Sequence, residues 1–370
     1  MSVRAAVMDG PNRSLHVESF DDPQLGDGEA LLRTIASEVC GTDVHIFHGR
    51  LTGNIRFPLI PGHISVGEIE DTRGQIVDVY GQPFNRGDVV AFNDVVRTCG
   101  HCAMCLKYQA ATRCPDRRVY GITLDTKDGL RGGWSEKIVL EKGVQVLRLP
   151  EGLDADTYIG GGCGLNTAAH AIDEAGIRMG DTVTVLGAGP VGQSLTAFSK
   201  LSGAEQVLNI GAPQDRLDYA RRMGADDTCN IETITDPRER VEWVLQHTHG
   251  FGADVVIEAT GVPDAVTQAM EMVRDDGTVV VVGQYTDNGT TPLDPYRHVN
   301  KKSLRLRGSW GSRSRDFITA LAMMGRHHKQ FPWKEMAARS FSLDQVNDAL
   351  GVVHRREAVK AVIRPNGIPA

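Results

Sequence analysis

Hydrophobic and polar positions along the chain fall into two regimes. Up to about Pro150, short apolar runs such as Glu29-Ala30-Leu31-Leu32-Arg33-Thr34-Ile35 and Asp88-Val89-Val90-Ala91-Phe92 are broken by glycine and proline turns, the pattern of a β-rich domain. From Asp181 the period alternates between strand and helix. Thr182–Leu186 predicts a strand, Val191–Leu201 a helix, Gln206–Ile210 a strand and Pro213–Met223 a helix. Strand Asp254–Glu258, helix Pro263–Val273 and strand Thr278–Val282 continue the series to Gly283. Such alternation implies a parallel sheet with helical crossovers, hence an α/β doubly wound nucleotide-binding domain. After His298, a strand-like run (Ser303-Leu304-Arg305-Leu306), two amphipathic helices and a last strand, Val359–Ile363, are expected to complete the first domain.

Length and composition narrow the class. A chain of 370 residues exceeds one ordinary core and fits two or three domains. With 41% hydrophobic and 24% charged residues it reads as globular, and no repeat or low-complexity tract interrupts it. A net charge of −7 offers no basic field for a phosphate backbone, which points away from nucleic acid and toward a small-molecule ligand. The opening residues Met1-Ser2-Val3-Arg4-Ala5-Ala6-Val7 lack a signal-peptide core, and no apolar run approaches a membrane span. A cytoplasmic protein without a membrane partner is therefore expected. Seven cysteines in a large cytosolic chain suggest metal rather than disulfides.

The first motif is Gly187-Ala188-Gly189-Pro190-Val191-Gly192, which follows a predicted strand and opens a predicted helix, the context the dinucleotide fingerprint requires. Its glycines serve the tight turn, the approach of a pyrophosphate and close helix–strand packing, while the helix N-terminus supplies amide donors. An acid that reads the adenosine ribose belongs at the end of the next strand, yet the chain there runs Leu208-Asn209-Ile210-Gly211-Ala212-Pro213. Gly211 neither accepts a ribose hydroxyl nor repels a 2′-phosphate; Arg216 and Arg221 are the candidates to meet such a phosphate, although no arginine lies in the turn itself. NAD and NADP both stay open, and Gly211→Asp is expected to move preference toward NAD.

Two groups of metal-type residues follow. Cys99, Cys102, Cys105 and Cys114 place four thiols within sixteen residues, the number that a closed tetrahedral zinc site needs. An iron–sulfur cluster is the rival, but eight residues rather than three separate Cys105 from Cys114. The second group is dispersed: Cys40-Gly41-Thr42-Asp43-Val44-His45, Pro61-Gly62-His63 and Gly162-Cys163-Gly164. Two thiolates and an imidazole leave a fourth position on zinc open, as a catalytic site requires. Singly, a cysteine is a small buried hydrophobe and a histidine a hydrogen-bonded structural residue.

Together and in this order, Cys40–His45, Phe57-Pro-Leu-Ile-Pro-Gly-His63, the four-cysteine lobe, Gly187–Gly192 and Glu258-Ala-Thr-Gly261 resemble the zinc-containing medium-chain dehydrogenase/reductase family over nearly the whole chain. The resemblance implies a catalytic domain with a GroES-like β-barrel over residues 1–155 and 298–370, an inserted Rossmann domain over 156–297, and an active site in the cleft between them. It implies Cys40, His63 and Cys163 as catalytic zinc ligands and Cys99, Cys102, Cys105 and Cys114 as structural ones, hence two zinc ions per chain. Asp43 would accept the free ring N–H of His63 and fix its tautomer, while Thr42 and His45 match positions that pass the alcohol proton to solvent. Gly187, Gly189, Pro190, Val191, Gly192, Gly211, Arg216, Thr260 and Gly283 match the cofactor-binding side.

The activity so implied is NAD(P)-dependent oxidation of an alcohol or polyol, a secondary hydroxyl above all, by a homodimer or homotetramer. A metal-free NADPH-dependent enone or quinone reductase and a non-catalytic dinucleotide-binding protein are the alternatives; retention of Cys40, His63 and Cys163 argues against the first, and the proton-relay residues Thr42 and His45 against the second. The chain departs from the family at Ile64, where a glutamate commonly follows the ligand histidine. The lobe also holds eight residues before its last cysteine where seven are usual. Asn93, Asp94 and Arg97 either favour a polar alcohol or form a solvated loop.

Overall fold

The computed structural model describes residues 2–51 and 53–368. The chain divides into two compact units: Met1–Gly162 with Leu321–His328 and Trp333–Ala370, and Cys163–Ala320 with Lys329–Pro332.

The first unit is built around strand Ala30–Val39. It pairs antiparallel with Ser65–Thr72 on one edge, and on the other with Lys137–Leu140 near its start and Ala361–Ile363 near its end. The sheet runs Arg339–Phe341, Ala361–Ile363, Ala30–Val39, Ser65–Thr72, Val89–Phe92, Val146–Arg148. Ala30–Val39 is buried at nearly every position, so its apolar residues serve two cores. Leu32, Ile69, Val90, Phe92 and Ile138 fill one. Val39, Val44, Ile46, Trp134 and Ile363 fill the other, and the helix Gly41–Phe47 that follows is held against it by Val44 and Ile46. Continuous burial of this strand explains why its sequence reads as an apolar run and not as strict alternation.

The second unit carries six parallel strands in the order Asp227–Asn230, Gln206–Gly211, Thr182–Leu186, Ala253–Glu258, Val273–Val281, Arg305–Gly308. Numbered by position along the chain, that order is 3-2-1-4-5-6, and the reversal falls between Thr182–Leu186 and Ala253–Glu258, where ligands of open α/β sheets bind. Helices Pro190–Leu201, Gln214–Arg222, Pro237–His247 and Pro263–Met272 provide the crossovers.

Three elements depart from the pattern reading. Arg305–Gly308 does not return to the first unit. It extends the parallel sheet, with Thr278↔Arg305 through Val281↔Gly308 in register, and its exposed arginines blunt the edge. Asp227–Asn230 is a strand with one buried residue, Cys229, too polar and short to show an apolar run. Ala155–Ala175 is a helix broken at Gly162, whose φ of 50° and ψ of −138° belong to glycine alone. Gly160, Gly161, Gly162 and Gly164 disguise it, because glycine is a poor helix former. Among the described residues no helix is long and apolar enough to cross a membrane.

Candidate functional site

Strand Ala30–Val39 ends at Cys40, which is the N-cap of helix Gly41–Phe47. Its extended backbone turns the thiol back over the helix start, where Sγ accepts the N–H of Thr42 at 3.3 Å. Asp43, wholly buried, closes the turn: its Oδ2 accepts the N–H of Cys40 at 2.8 Å, and its Oδ1 lies 3.8 Å from His63 Nδ1. One carboxylate thus locates two candidate ligands. His63 Nε2 faces Cys40 Sγ at 3.7 Å. Sulfur and nitrogen on one tetrahedral zinc, at ~2.3 and ~2.0–2.1 Å from it, stand roughly 3.6 Å apart. Burial alone would lower the His63 pKa, but the Cys40 thiolate and Asp43 hold it well above the ordinary imidazole value, so the surroundings favour positive charge.

The third residue, Cys163, follows Gly162 directly, and the ligand atoms of Cys40, His63 and Cys163 all lie within 4.8 Å of one another. This donor set fits a single cation of borderline softness with one position left over. Thr42 and His45 are three residues apart on the helix Cys40 caps and are therefore neighbours on its surface. Burial, then the charges of Arg50 and His48, lower the pKa of His45, so its ring is neutral at neutral pH and can receive a proton.

In the lobe, Cys99, Cys102, Cys105 and Cys114 also bring their sulfurs within 4.8 Å of one another. Cys102 and Cys105 are 3.6 Å apart, and Cys99 and Cys105 4.0 Å. The Cys102 N–H points to Cys99 Sγ at 3.3 Å and the Cys99 N–H to Cys114 Sγ at 3.2 Å, as donors around thiolates do. Such convergence suits one ion. A cubane cluster would spread the sulfurs around several irons. The backbone N–H of His101 leads in lowering the Cys99 thiol to about 6, whereas burial pushes Cys114 up to about 11, so a cation would stabilise Cys114 as a thiolate beside Cys99. The lobe helix, Ala103–Leu106, contains no buried residue, so the four sulfurs converge there without an apolar core beneath that helix.

At the carboxyl end of Thr182–Leu186, a Cβ on Gly187 would meet Ala259 O at 2.8 Å, and one on Gly192 would collide with Gly187 O. A Cβ on Gly189 would meet nothing within 4 Å, so that glycine is explained by an approaching ligand and not by packing. Gly189 is the N-cap of helix Pro190–Leu201 and makes no side-chain cap, which leaves the first-turn amides, Val191 included, to an anion. Across the sheet reversal, the buried Glu258 gathers the two adjacent turns. Its Oε1 accepts Thr260 N–H at 2.6 Å and Gly261 N–H at 3.0 Å, and its Oε2 accepts Gly283 N–H at 3.2 Å. Thr260 and Gly283, both expected on the cofactor side, are thus fixed by one acid.

Residues 26–151 match the alcohol dehydrogenase GroES-like domain and residues 190–326 the zinc-binding dehydrogenase domain. The chain is 30% identical to 5-exo-hydroxycamphor dehydrogenase of Pseudomonas putida, over 97% of this chain and 98% of that protein. It is 28% identical to D-arabinitol dehydrogenase 1 of Uromyces fabae, over 96% and 95% respectively. An alcohol dehydrogenase structure from Thermotoga maritima superposes with a TM-score of 0.93 at 31% identity, covering 99% of this chain and 100% of that one. The chain belongs to the zinc-binding alcohol dehydrogenase family. It is an oxidoreductase with a GroES-like domain and a Rossmann-type parallel sheet.

In this dehydrogenase several sequence candidates prove occupied by structure. Gly211 is buried, and a Cβ on it would lie 2.7 Å from Ala188 Cβ and 2.9 Å from Ala188 N. An acid therefore cannot be installed at Gly211 without moving the dinucleotide turn, and the expected switch toward NAD by Gly211→Asp is withdrawn. Arg216 is half-buried, with its carbonyl accepting from Gln193, and Arg221 pairs with Asp227 at 2.9 Å in an exposed ion pair. Asn93 is wholly buried and donates to Gln145 at 2.9 Å, so the segment is no solvated loop at that point. Arg97 is exposed beside Asp116. Ile64 is 1% exposed, packed rather than presented as a ligand. Glu258 appeared in the sequence only as part of the Glu258–Gly261 motif, and its anchoring role went unread; its signal was a buried acid closing the strand Ala253–Glu258.

Proposed function

We propose that the enzyme interconverts a secondary alcohol or polyol hydroxyl and the corresponding carbonyl with NAD or NADP, using two zinc ions per chain. The convergence of Cys40, His63 and Cys163 carries this reading: two thiols and one imidazole within 4.8 Å make an incomplete tetrahedral set. When bound, zinc polarises the hydroxyl oxygen and the nicotinamide accepts a hydride from the carbon. The chain's own part is binding, orientation and proton movement. Cys40, His63 and Cys163 would hold the catalytic zinc, and Cys99, Cys102, Cys105 and Cys114 the structural one. Asp43 accepts from Cys40 N–H and faces His63 Nδ1, so it orients both ligands. Thr42 Oγ1 takes the substrate proton and the neutral His45 ring passes it on. Gly187–Gly192 and the helix start at Pro190 receive the pyrophosphate, with Thr260 and Gly283 on the nicotinamide side.

A hydroxyl-bearing substrate also agrees with the relatives named for hydroxycamphor and D-arabinitol. The proposed enzyme acts as a homo-oligomer. Purified enzyme should contain about two zinc ions per chain, falling to about one in Cys40→Ala. It should oxidise members of a panel of alcohols, cyclitols and sugar derivatives with at least one dinucleotide. One zinc in both proteins, with no turnover across the panel, would overturn the reading.

A further inference from the structure

Lys360 and Glu38 form an ion pair at 2.9 Å in which both side chains are fully buried. Burying a charge pair is costly, and an apolar pair of similar size is often at least as stable, so its presence calls for a local reason. The reason lies in what else Lys360 holds. Its Nζ donates to Gly161 O at 2.7 Å and to Ile159 O at 3.3 Å. These carbonyls belong to the last turn before the break at Gly162, where the interrupted helix cannot supply backbone donors. A cation at a helix C-terminus is favourable, and here it is aimed at the break itself. A Cβ on Gly162 would run into both Glu38 Oε2 and Lys360 Nζ, so the pair is packed directly against the residue that redirects the chain. The next residue is Cys163.

We propose that the Glu38–Lys360 pair is a positioning device for the third zinc ligand: Lys360 caps the broken helix, Glu38 neutralises and orients Lys360, and together they hold Gly162 in the conformation that delivers Cys163 to Cys40 and His63. The proposal rests on Cys163 being a ligand. It also accounts for Ile64. Ser37 and Ser65 are register partners and Glu38 N–H bonds Ile64 O at 2.9 Å, so Ile64, the residue just before the strand Ser65–Thr72, lies opposite Glu38. Directly opposed residues share a sheet face. The carboxylate that the family pattern places after the ligand histidine stands here on the facing strand, engaged with a cation.

The test uses intact enzyme with cobalt(II) loaded at the catalytic site, comparing wild type, Cys163→Ala, Glu38→Gln and the charge-balanced double variant Glu38→Gln/Lys360→Met. In the double variant, metal in the four-cysteine lobe is expected to stay. Affinity at the catalytic site should fall about tenfold or more, as when partners that orient ligands are removed. Thiolate-to-cobalt charge-transfer absorption should fall toward that of Cys163→Ala. A folded double variant with wild-type affinity and spectrum would overturn the proposal. If the double variant does not fold, Glu38→Gln decides by the same two readouts: it removes the charge that neutralises Lys360, so catalytic-site affinity and charge-transfer absorption should both fall, and wild-type values for both would overturn the proposal. An unchanged spectrum in Cys163→Ala would instead show that Cys163 is no ligand, and the function reading would fail at that residue.

Discussion

Glu258 accepts both the backbone N–H and the hydroxyl of Thr260 through one carboxylate oxygen, at 2.6 and 2.7 Å. The same acid reaches Gly261 and Gly283, so two turns on the cofactor side share one buried anchor. Glu258→Gln replaces an acceptor oxygen with an NH2 that faces donors. A loss of about 1–3 kcal/mol is expected, as for a buried group left unsatisfied. Dinucleotide affinity should fall while zinc content stays at the wild-type level. Denaturant melts and fluorescence titration with NAD and NADP would check this, and unchanged affinity for both would remove Glu258 from the cofactor machinery.

Gly211 sits where an acid would read the ribose, but steric contact with Ala188 decides its identity. Gly211→Asp should lower stability by about 1–3 kcal/mol through overpacking and weaken NAD and NADP together, because the Ala188 turn that must move also carries the pyrophosphate side. Kd values for the two dinucleotides would measure it. A stable variant with NAD binding strengthened tenfold would sink the steric account.

The two-regime architecture, the convergence of the four lobe cysteines and the glycine turn after Thr182–Leu186 were legible because each leaves a local signature: apolar runs, cysteine spacing, a glycine turn after a strand. What stayed hidden depends on distant partners. Nothing near Lys360 in sequence marks it as buried, because its counter-ion is Glu38 and its acceptors are Ile159 and Gly161. Gly211 reads as a cofactor position until Ala188 is seen against it. Ser303–Leu306 shows a strand but not its neighbour, since period reports local conformation and says nothing of which sheet receives it.

The His45 ring should set an acid limb in alcohol oxidation below the free imidazole value. Burial comes first among the causes that lower its pKa, followed by the charge of Arg50. A lowered pKa keeps the accepting, neutral form present to lower pH, so activity that depends on it is lost only as pH falls through that value. Arg50→Ala removes a charge that opposes protonation, and the limb should move up toward 6.5. Profiles of kcat/KM against pH for wild type, Arg50→Ala and His45→Ala would show it. A limb that stays in place in both variants would exclude His45 as the relay.

The four-cysteine lobe should open on loss of its metal without unfolding the rest. Its helix Ala103–Leu106 buries nothing, and metal affinity there is local folding free energy. Cys102→Ser is expected to lose one zinc per chain and gain rapid proteolytic cleavage within residues 99–114, while the far-ultraviolet spectrum barely changes. Resistance to cleavage in the zinc-depleted lobe would mean that packing, not metal, holds it.

Ile64, just before the strand Ser65–Thr72, lies opposite Glu38, whose N–H bonds its carbonyl at 2.9 Å, which gives the departure at position 64 a specific consequence. Ile64 is 1% exposed, so Ile64→Glu would bury a second carboxylate opposite Glu38, whose buried cation, Lys360, is already paired. Opposed like charges destabilise a strand pair, and an uncompensated buried charge costs about 3–5 kcal/mol. The single variant should therefore be strongly destabilised. The exchange Glu38→Ile/Ile64→Glu restores one carboxylate and one apolar group on the same face, leaving Lys360 a partner. Most of the lost stability should return with it, along with the wild-type zinc content. Thermal melts and metal analysis on the three variants would separate the cases. If the exchange were as unstable as Ile64→Glu alone, the two positions would not be interchangeable hosts for the acid, and the identity of residue 64 would need a cause other than its partner across the strands.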